Sequence, residues 1–450
     1  MLLFLFIVAQ TIPIGSSLNL DLEYLEGRGL VDLAESRPYD IPAVAIELSN
    51  LSAAGLDLTR YESHIVRKMR PFVREDYSKF YLLGISSRYL NEPENYRVNT
   101  RLLFAGRITD RLSYSTRYNI QYAKTIEDSF PNPWHKFQFY IEDANFIYTA
   151  RTTKLEIGRK EWLLGPGQTG GLLLSDYSGS YNGFFMKTTS GPLCFIAAFS
   201  LAETKRYLAL HRVELLRGRS SVSFSELILA GGALEPFYIN PLVPYYVSQW
   251  ITNRDDNIMW ALDGKFFAGP FKAYGELLID DYRYDTIPPA PNKLGYLAGF
   301  EAFPAEGLIL GAEYVHIDKW VYTQRKSINE YVKDGKCIGH WLGPDADFYK
   351  MMVDCRTRFG LNVSFSPSLK RRGEGRIDRP WEEEGGDPNH PFPSGVVETT
   401  KELRLTLEYF PVLSARIKIE YNRRWIDNEN NAPGRRAIKN VVLVTTQIGI

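Results

Sequence analysis

Residues 111–122 read RLSYSTRYNIQY, and polar and apolar side chains alternate along the whole stretch. Because successive side chains of a β-strand point to opposite faces, one face carries Leu112, Tyr114, Thr116, Tyr118, Ile120 and Tyr122. An unbroken period of two over about twelve residues is longer than an ordinary strand of a soluble protein. The pattern predicts a membrane-spanning strand, with an apolar face towards lipid and a polar face towards a lumen.

Composition agrees with one very large closed sheet. The chain has 450 residues, 28 Tyr and 25 Phe, and aromatic residues make up 14% of it. Beyond the N-terminus no apolar run is long enough for a helical span, so a membrane role requires a barrel. Basic and acidic residues balance at 53 each. This gives no electrostatic basis for binding nucleic acid, and we expect none.

The N-terminal part predicts two segments before the barrel. Residues 1–17 have the apolar core and small residues of a signal peptide, although the usual positive charge at the start is missing. Residues 18–75 carry apolar residues at spacings of three and four, which predicts short helices. A segment of this size is marginal alone, so we expect it to pack against the barrel formed by residues 76–450.

The number of strands follows from the short turns between stretches in which polar and apolar residues alternate. Eight hairpins give sixteen strands, and a first strand near 77–85 and a last near 440–450 make about eighteen. Longer connections alternate with the turns, as in an outer-membrane barrel with extracellular loops. A large soluble β-sandwich or propeller is the alternative, but no blade-like repeat is visible. The turns fall at 109–110, 151–153, 190–192, 218–220, 268–270, 304–307, 356–358 and 411–413.

The sequence offers no catalytic, cofactor or metal site. The glycine-rich run at 165–171 lacks the lysine and the helix of a phosphate-binding loop. Adjacent Asp280 and Asp281 face opposite ways on a strand, and no nucleophile elbow or metal-binding helix accompanies the histidines. Cys194, Cys337 and Cys355 lack metal-site spacing, and we expect Cys337 and Cys355 at opposite ends of a strand as free thiols.

Charged residues within the predicted strands should avoid lipid. Each would cost a few kcal/mol on the membrane face, so we expect all of them to line the interior and crosslink the wall. His211, next to Arg212, is expected to be another hydrogen-bonding residue of the lumen. The charged residues concerned are Arg159, Glu161, Arg212, Glu214, Glu226, Asp280 and Arg283.

Several segments together resemble the capsule assembly (Wzi-type) outer-membrane protein family: RKEWLLGPGQTGGLLLSD, the HR of LALHRVE, SELILAGGALEPFYINPLVPYY, GELLIDDYRYD and GHWLGPDADFYKMMVD. The resemblance implies an eighteen-stranded barrel plugged on the periplasmic side by the small helical part of residues 18–75, with a non-enzymatic role in attaching or organising surface polysaccharide. The residues that match the family pattern are Arg159, Trp162, Gly165, Pro166, Gly167, His211, Arg212, Glu226, Asn240 and Pro241.

We therefore expect a monomeric protein of a Gram-negative-type outer membrane, surrounded by lipid, that binds capsular or other surface polysaccharide with its extracellular loops. Sugar rings stack on aromatic faces, and their hydroxyls need convergent polar groups. A porin or solute channel is the alternative, and a membrane-embedded hydrolase is a third possibility for which no catalytic set is found. The candidate contact residues are Tyr177, Tyr181, Tyr245, Tyr246, Trp250, His340, Trp341, Asp345, Asp347 and Trp381.

Overall fold

The computed structural model describes residues 11–12, 16–53, 56–73, 80–91, 94–123, 134–282, 290–412 and 415–448. Its main body is a closed barrel of eighteen antiparallel strands in which each strand pairs with its sequence neighbours and the last pairs with the first. The strands β1 to β18 are Phe80–Asn91, Glu94–Arg107, Leu112–Ala123, Phe137–Ala150, Thr153–Lys160, Tyr181–Ser190, Leu193–Glu203, Arg206–Arg217, Ser220–Gly231, Asn257–Ala268, Phe271–Asp281, Lys293–Ala305, Leu308–Ile317, Ala346–Arg356, Leu361–Arg372, Glu398–Val412, Ala415–Asp427 and Arg436–Ile448.

The alternation in residues 111–122 forms strand β3 as expected. Ser115, Asn119 and Gln121 are buried on the lumen side, whereas Tyr118 is exposed on the outside. All eight predicted turns join neighbouring strands, although residue 413 of the last one lies outside the described residues. The first strand is described from Phe80 onwards, and the last begins at Arg436, four residues earlier than predicted.

The outer wall of the barrel is apolar. Along β16 the side chains of Leu403, Leu405 and Leu407 alternate with inward-facing polar residues, and each is about two-fifths exposed. Apolar side chains are also exposed elsewhere on the outer wall, for example those of Ile157, Phe266 and Met351. An apolar band outside a closed antiparallel sheet is the surface that a bilayer requires. Separately, no helix among the described residues is long and apolar enough to cross a membrane.

The described residues before the barrel form three helices: α1 (Ser17–Gly27), α2 (Ile41–Ala53) and α3 (Arg60–Val73). They pack around a core that includes Leu22 and Ile65 and continues onto Phe303 of β12. We call the end of the barrel with the eight short turns the turn end and the opposite one the loop end. The helices lie at the turn end, where the amide of Gly307 donates to the Tyr24 hydroxyl.

Further short elements lie in the connections. Helix α4 (Tyr245–Thr252) follows β9, and α5 (Trp381–Glu384) follows β15. Short 3-10 turns occur at Asp176–Ser178, Pro236–Ile239, Ser327–Asn329 and Glu429–Asn431. Two-residue strands pair Thr11–Ile12 with Tyr39–Asp40 and Val332–Lys333 with Lys336–Cys337. The signal-peptide prediction falls almost entirely outside the described residues.

The three cysteines are free, as expected for Cys337 and Cys355. Cys194 and Cys337 are buried and Cys355 is exposed. Cys337 lies in the connection between β13 and β14, and Cys355 lies near the turn end of β14. The strand that separates them begins at Ala346.

Candidate functional site

Two long connections fold into the lumen from the loop end. They are residues 161–180, between β5 and β6, and residues 318–345, between β13 and β14, and we call them together the inner plug. Leu172 and Leu173 at its centre are completely buried. Two carboxylates of the wall hold the first connection by its backbone: Glu276 accepts from the amides of Leu172 and Leu173, and Glu313 from those of Gln168 and Thr169.

The glycines of the GPG motif permit this tight packing. Gly165 has a φ of +91°, and a Cβ there would lie 2.9 Å from a carboxylate oxygen of Glu276. A Cβ on Gly167 would lie 2.3 Å from the Gly170 carbonyl oxygen. Pro166 is buried between them, and Trp162 packs on Phe185 with ring centroids 5.1 Å apart. The motif therefore forms a buried reversal of the chain inside the lumen.

The second connection binds the first through tyrosine hydroxyls. Tyr322 donates to the Leu172 carbonyl oxygen at 2.6 Å and Tyr331 to that of Leu173 at 2.7 Å. His340 is completely buried, and burial lowers the pKa of its imidazole from 6.5 to about 3. The Leu342 amide donates to Nδ1, so the neutral ring carries its proton on Nε2, which lies 3.1 Å from Thr169 Oγ1. The two connections of the plug thus contact each other through hydrogen bonds, and the centre of the plug is apolar.

A buried arginine attaches the N-terminal segment to the wall. Arg212 of β8 points inward and forms ion pairs with Glu214, Asp263 and Glu35, the last of which lies between α1 and α2. Ser221 and Ser223 also donate to the Glu35 carboxylate. All partners of this cluster are buried, so the segment is held from inside the barrel. Sequence reasoning placed Arg212 in the lumen but missed Glu35, which has no distinguishing pattern around it.

Inward-facing charges fall into two classes according to their position around the barrel. On β8 to β12 the side chains of Arg212 and Lys265, which contact the N-terminal segment, and of Lys272 are exposed by 0%, 4% and 5%. On β16 and β17 the inward-facing Arg404, Lys418 and Arg424 are exposed by 43%, 29% and 38%. Solvent-accessible space therefore remains along one side of the lumen.

We call the inward-facing residues of that side the polar strip: Glu402, Arg404, Arg416, Lys418 and Arg424. Arg404 and Arg424 both pair with Glu402, and Arg416 pairs with Glu408. Guanidinium and carboxylate groups so arranged offer donors and acceptors to a hydroxylated or carboxylated ligand. The strip was not singled out from the sequence.

His211 and Glu226 do not line the lumen, which corrects the prediction for both. Arg212 points inward, so its neighbour His211 points outward, and Glu226 pairs with it across β8 and β9. The connection between β9 and β10, residues 232–256, folds down over this part of the outer wall and buries Glu226. We call it the outer-wall loop. It contains Asn240 and Pro241, and Asn240 accepts from the Leu242 amide in a local turn.

Arg159 is likewise on the outer face, because it alternates with Lys154 and Glu156, which face the N-terminal segment inside. Its guanidinium donates to the Ile141 carbonyl oxygen near the loop end of β5. Glu214 and Asp280 point inward as expected, and Asp280 accepts from the Tyr322 amide. Glu161 follows the end of β5, and Arg283 lies outside the described residues.

Five of the ten candidate contact residues are buried and instead make contacts within the protein. Asp345 accepts from the amides of Gly375 and Ser394, which ties residues 373–397 to the plug. This burial removes their side chains from any surface on which a polymer could lie, so we no longer expect them to be contacts. The five are Tyr181, Tyr245, His340, Asp345 and Asp347.

The other five have different surroundings. Trp341 is half-buried against Phe348, and Trp381 is half-buried at the start of α5. Tyr246 and Trp250 are exposed on the outer-wall loop. Tyr177 is 44% exposed at the loop end, where Lys336 Nζ lies 5.6 Å from its ring centroid.

Tyr177, Lys336 and the adjoining Asp334 form what we call the rim patch. The side chain of Asp334 is 65% exposed, and it pairs with Lys333 at 2.8 Å. An open aromatic ring with a cation and a carboxylate beside it suits a pyranose ring. Among the described residues no group of three or more His, Cys, Asp or Glu could hold a metal ion.

Comparisons with known proteins identify the fold. The chain superposes with a TM-score of 0.72 on Wzi, described as an outer membrane protein involved in group 1 capsule assembly in Escherichia coli and as a carbohydrate-binding β-barrel; the identity is 15%, and the match covers 98% of this chain and 100% of that one. OprD from Pseudomonas aeruginosa gives 0.51 at 11% identity, covering 84% and 94%. No family model and no curated protein matches. The chain therefore has the Wzi fold, an outer-membrane β-barrel, as its sequence motifs implied.

Proposed function

We propose that the chain is a non-enzymatic outer-membrane protein that binds or organises surface polysaccharide at its loop end. The observation that carries this proposal is a fold shared with Wzi over nearly the whole length, together with a lumen that the chain fills in part with its own loops. With the loop end at the cell surface, the turn end and helices α1 to α3 face the periplasm. A barrel stiffened in this way is suited to present a fixed outer surface.

The rim patch is the contact surface that we favour. The Tyr177 ring lies at the loop end, and Lys336 and Asp334 provide a donor and an acceptor on the neighbouring hairpin. A sugar residue stacked on the ring would thus meet both kinds of partner for its hydroxyls. Aromatic stacking contributes about 0.5–1.5 kcal/mol beyond burial, so affinity would depend on repeated contacts along a polymer.

Binding and turnover measurements on the purified protein test this function. We expect isolated capsular polysaccharide to bind to the protein in lipid nanodiscs and to keep its chain length after long incubation. Shortening of the polymer, detected by size-exclusion chromatography, would instead support a membrane-embedded hydrolase. Absence of binding across a panel of acidic and neutral surface polysaccharides would refute the proposal.

A second candidate function is passage of small solutes along the polar strip, and it is favoured by the accessible side chains of Arg404 and Arg424. A conducting strip would lose anion preference in the variant Arg404→Glu/Arg424→Glu. The matched control is Arg423→Glu, because Arg423 lies next to Arg424 but on the outer face. Planar-bilayer recordings showing no conductance in the intact protein would exclude this function.

A further inference from the structure

The outer-wall loop has an unusual composition for a connection between strands. From Pro236 to Asn253 it contains no Asp, Glu, Lys or Arg, although 24% of the chain is charged. Glu235, Arg254 and Asp255 bracket this uncharged run at both ends. A loop surrounded by water has no reason to exclude charge so completely, whereas a segment in contact with lipid does.

The inner side of the loop satisfies polar groups on a wall that faces lipid. Glu226 accepts from His211 Nε2 at 2.8 Å, from the amides of Tyr245 and Tyr246 at 2.9 and 3.1 Å, and from Trp260 Nε1 at 3.1 Å. The Tyr245 ring also stacks on His211, with centroids 4.5 Å apart. Without this cover a carboxylate and an imidazole would meet hydrocarbon, which costs several kcal/mol.

The outer side of the loop is apolar and uncovered. Leu242 is 82% exposed, Trp250 75% and Ile251 64%. Trp250 packs on Tyr246, which in turn contacts Trp260 of the wall, so these rings form one surface with the barrel. Phe237, Ile239 and Val247 extend it.

The loop reaches well below the loop-end rim. Glu226 is five residues from the end of β9 at Gly231, and His211 is five residues from the start of β8 at Arg206. At about 3.4 Å per residue and a strand tilt near 40°, both lie about 13 Å below the rim. Further from the rim, Val213 of β8 and Phe224 of β9 are exposed, and Leu262 of β10 is exposed beside Phe224. The outer side of the loop is therefore continuous with the apolar band of the barrel.

We infer that residues 236–253 are inserted in the membrane, between the barrel wall and the acyl chains of the leaflet at the loop end. The continuous apolar surface and the lack of charge select acyl chains as the occupant. This places Tyr246 and Trp250 in contact with lipid rather than with polysaccharide. The inference depends on membrane insertion of the barrel and not on what the rim patch binds.

Site-specific labelling in nanodiscs tests this inference. The variants Trp250→Cys, Leu242→Cys and Arg325→Cys carry the fluorophore NBD in a Cys355→Ser background, because Cys355 is the exposed native cysteine. Arg325, whose side chain is 61% exposed at the loop end, is the matched aqueous control. Heat-modifiable gel mobility confirms that each variant is folded.

We expect lipids with a doxyl group at acyl carbon 12 to quench the labels at 242 and 250 at least twofold more strongly than the label at 325. Dithionite should reduce the labels at 242 and 250 at least tenfold more slowly than the label at 325. Equal reduction rates at all three positions would overturn the inference, because the loop would then face water. Labels shielded from both reagents, together with a disulfide between two chains of the unlabelled Trp250→Cys variant, would identify a second copy as the occupant and would overturn it as well.

Discussion

Arg212 Nη2 lies 2.8 Å from Glu35 Oε2, although 177 residues separate the two in sequence and both side chains are fully buried. This ion pair connects the N-terminal segment to the wall from inside the lumen. Glu214 and Asp263 complete the cluster, so Arg212 contacts three carboxyl groups. Arg212 thereby connects the N-terminal segment and the barrel wall, which are far apart in the sequence.

Arg212→Met should release the N-terminal segment. The substitution leaves buried carboxylates without their cation, which costs about 3–5 kcal/mol. We expect limited proteolysis to cut within residues 18–75 in the variant and not in the parent protein, while the barrel itself stays folded. Arg423→Ala, an outer-face change, serves as the control. Equal protease resistance of the three proteins would show that the ion pair does not hold the segment.

Glu276→Ala combined with Glu313→Ala should loosen the inner plug. Each carboxylate accepts two backbone amides of residues 161–180, and each amide left buried without an acceptor costs about 1–3 kcal/mol. Conductance in planar bilayers should rise at least several-fold over that of the intact protein. The control is Glu420→Ala, which removes an inward carboxylate of β17 that pairs with Lys418. An unchanged conductance in the double variant would mean that other contacts close the lumen.

Acid should weaken docking of the plug because of His340. Burial lowers the pKa of this histidine from 6.5 to about 3, so the docked loop excludes a proton that the released loop accepts. The contribution is fully present above pH 6.5 and is lost as pH falls towards 3, by at most about 1.4 kcal/mol per pH unit.

Hydrogen exchange of residues 318–345 measures this effect. Exchange that is corrected for its intrinsic pH dependence should show less protection at pH 5 than at pH 7. His340→Gln cannot titrate, and we expect it to reduce the difference between the two pH values. The same difference in the variant and in the parent protein would assign the pH response to other groups.

Sequence patterns predicted the barrel well because its strands depend on a local period of two. The alternation in residues 111–122 and the short turns are properties of neighbouring residues, and they gave the number of strands. The orientation of His211 and Glu226 was mispredicted because every charged residue in a strand was assumed to avoid the outer wall. A loop from the same sheet covers both residues, and the uncharged run from Pro236 to Asn253 was the available signal.

The candidate site was harder to predict because exposure depends on where long connections fold. His340 and Asp345 lie in a segment that reads as a polar surface loop, yet it enters the lumen and buries them. Their polar partners, such as Thr169 and Ser394, are far away in sequence. Tyr177 remained exposed although it belongs to a connection whose other half is buried.

The most direct test of the account compares two tyrosines that are equally exposed, at 44% each, but lie in different environments. Binding of isolated surface polysaccharide to Tyr177→Ala and Tyr246→Ala is measured by calorimetry on nanodisc-embedded protein. We predict that Tyr177→Ala weakens binding by about tenfold, as expected for loss of a stacked aromatic contact. We predict that Tyr246→Ala, on the outer wall, binds like the parent protein. Unchanged binding by Tyr177→Ala, or a comparable loss in Tyr246→Ala, would contradict polysaccharide recognition at the rim patch.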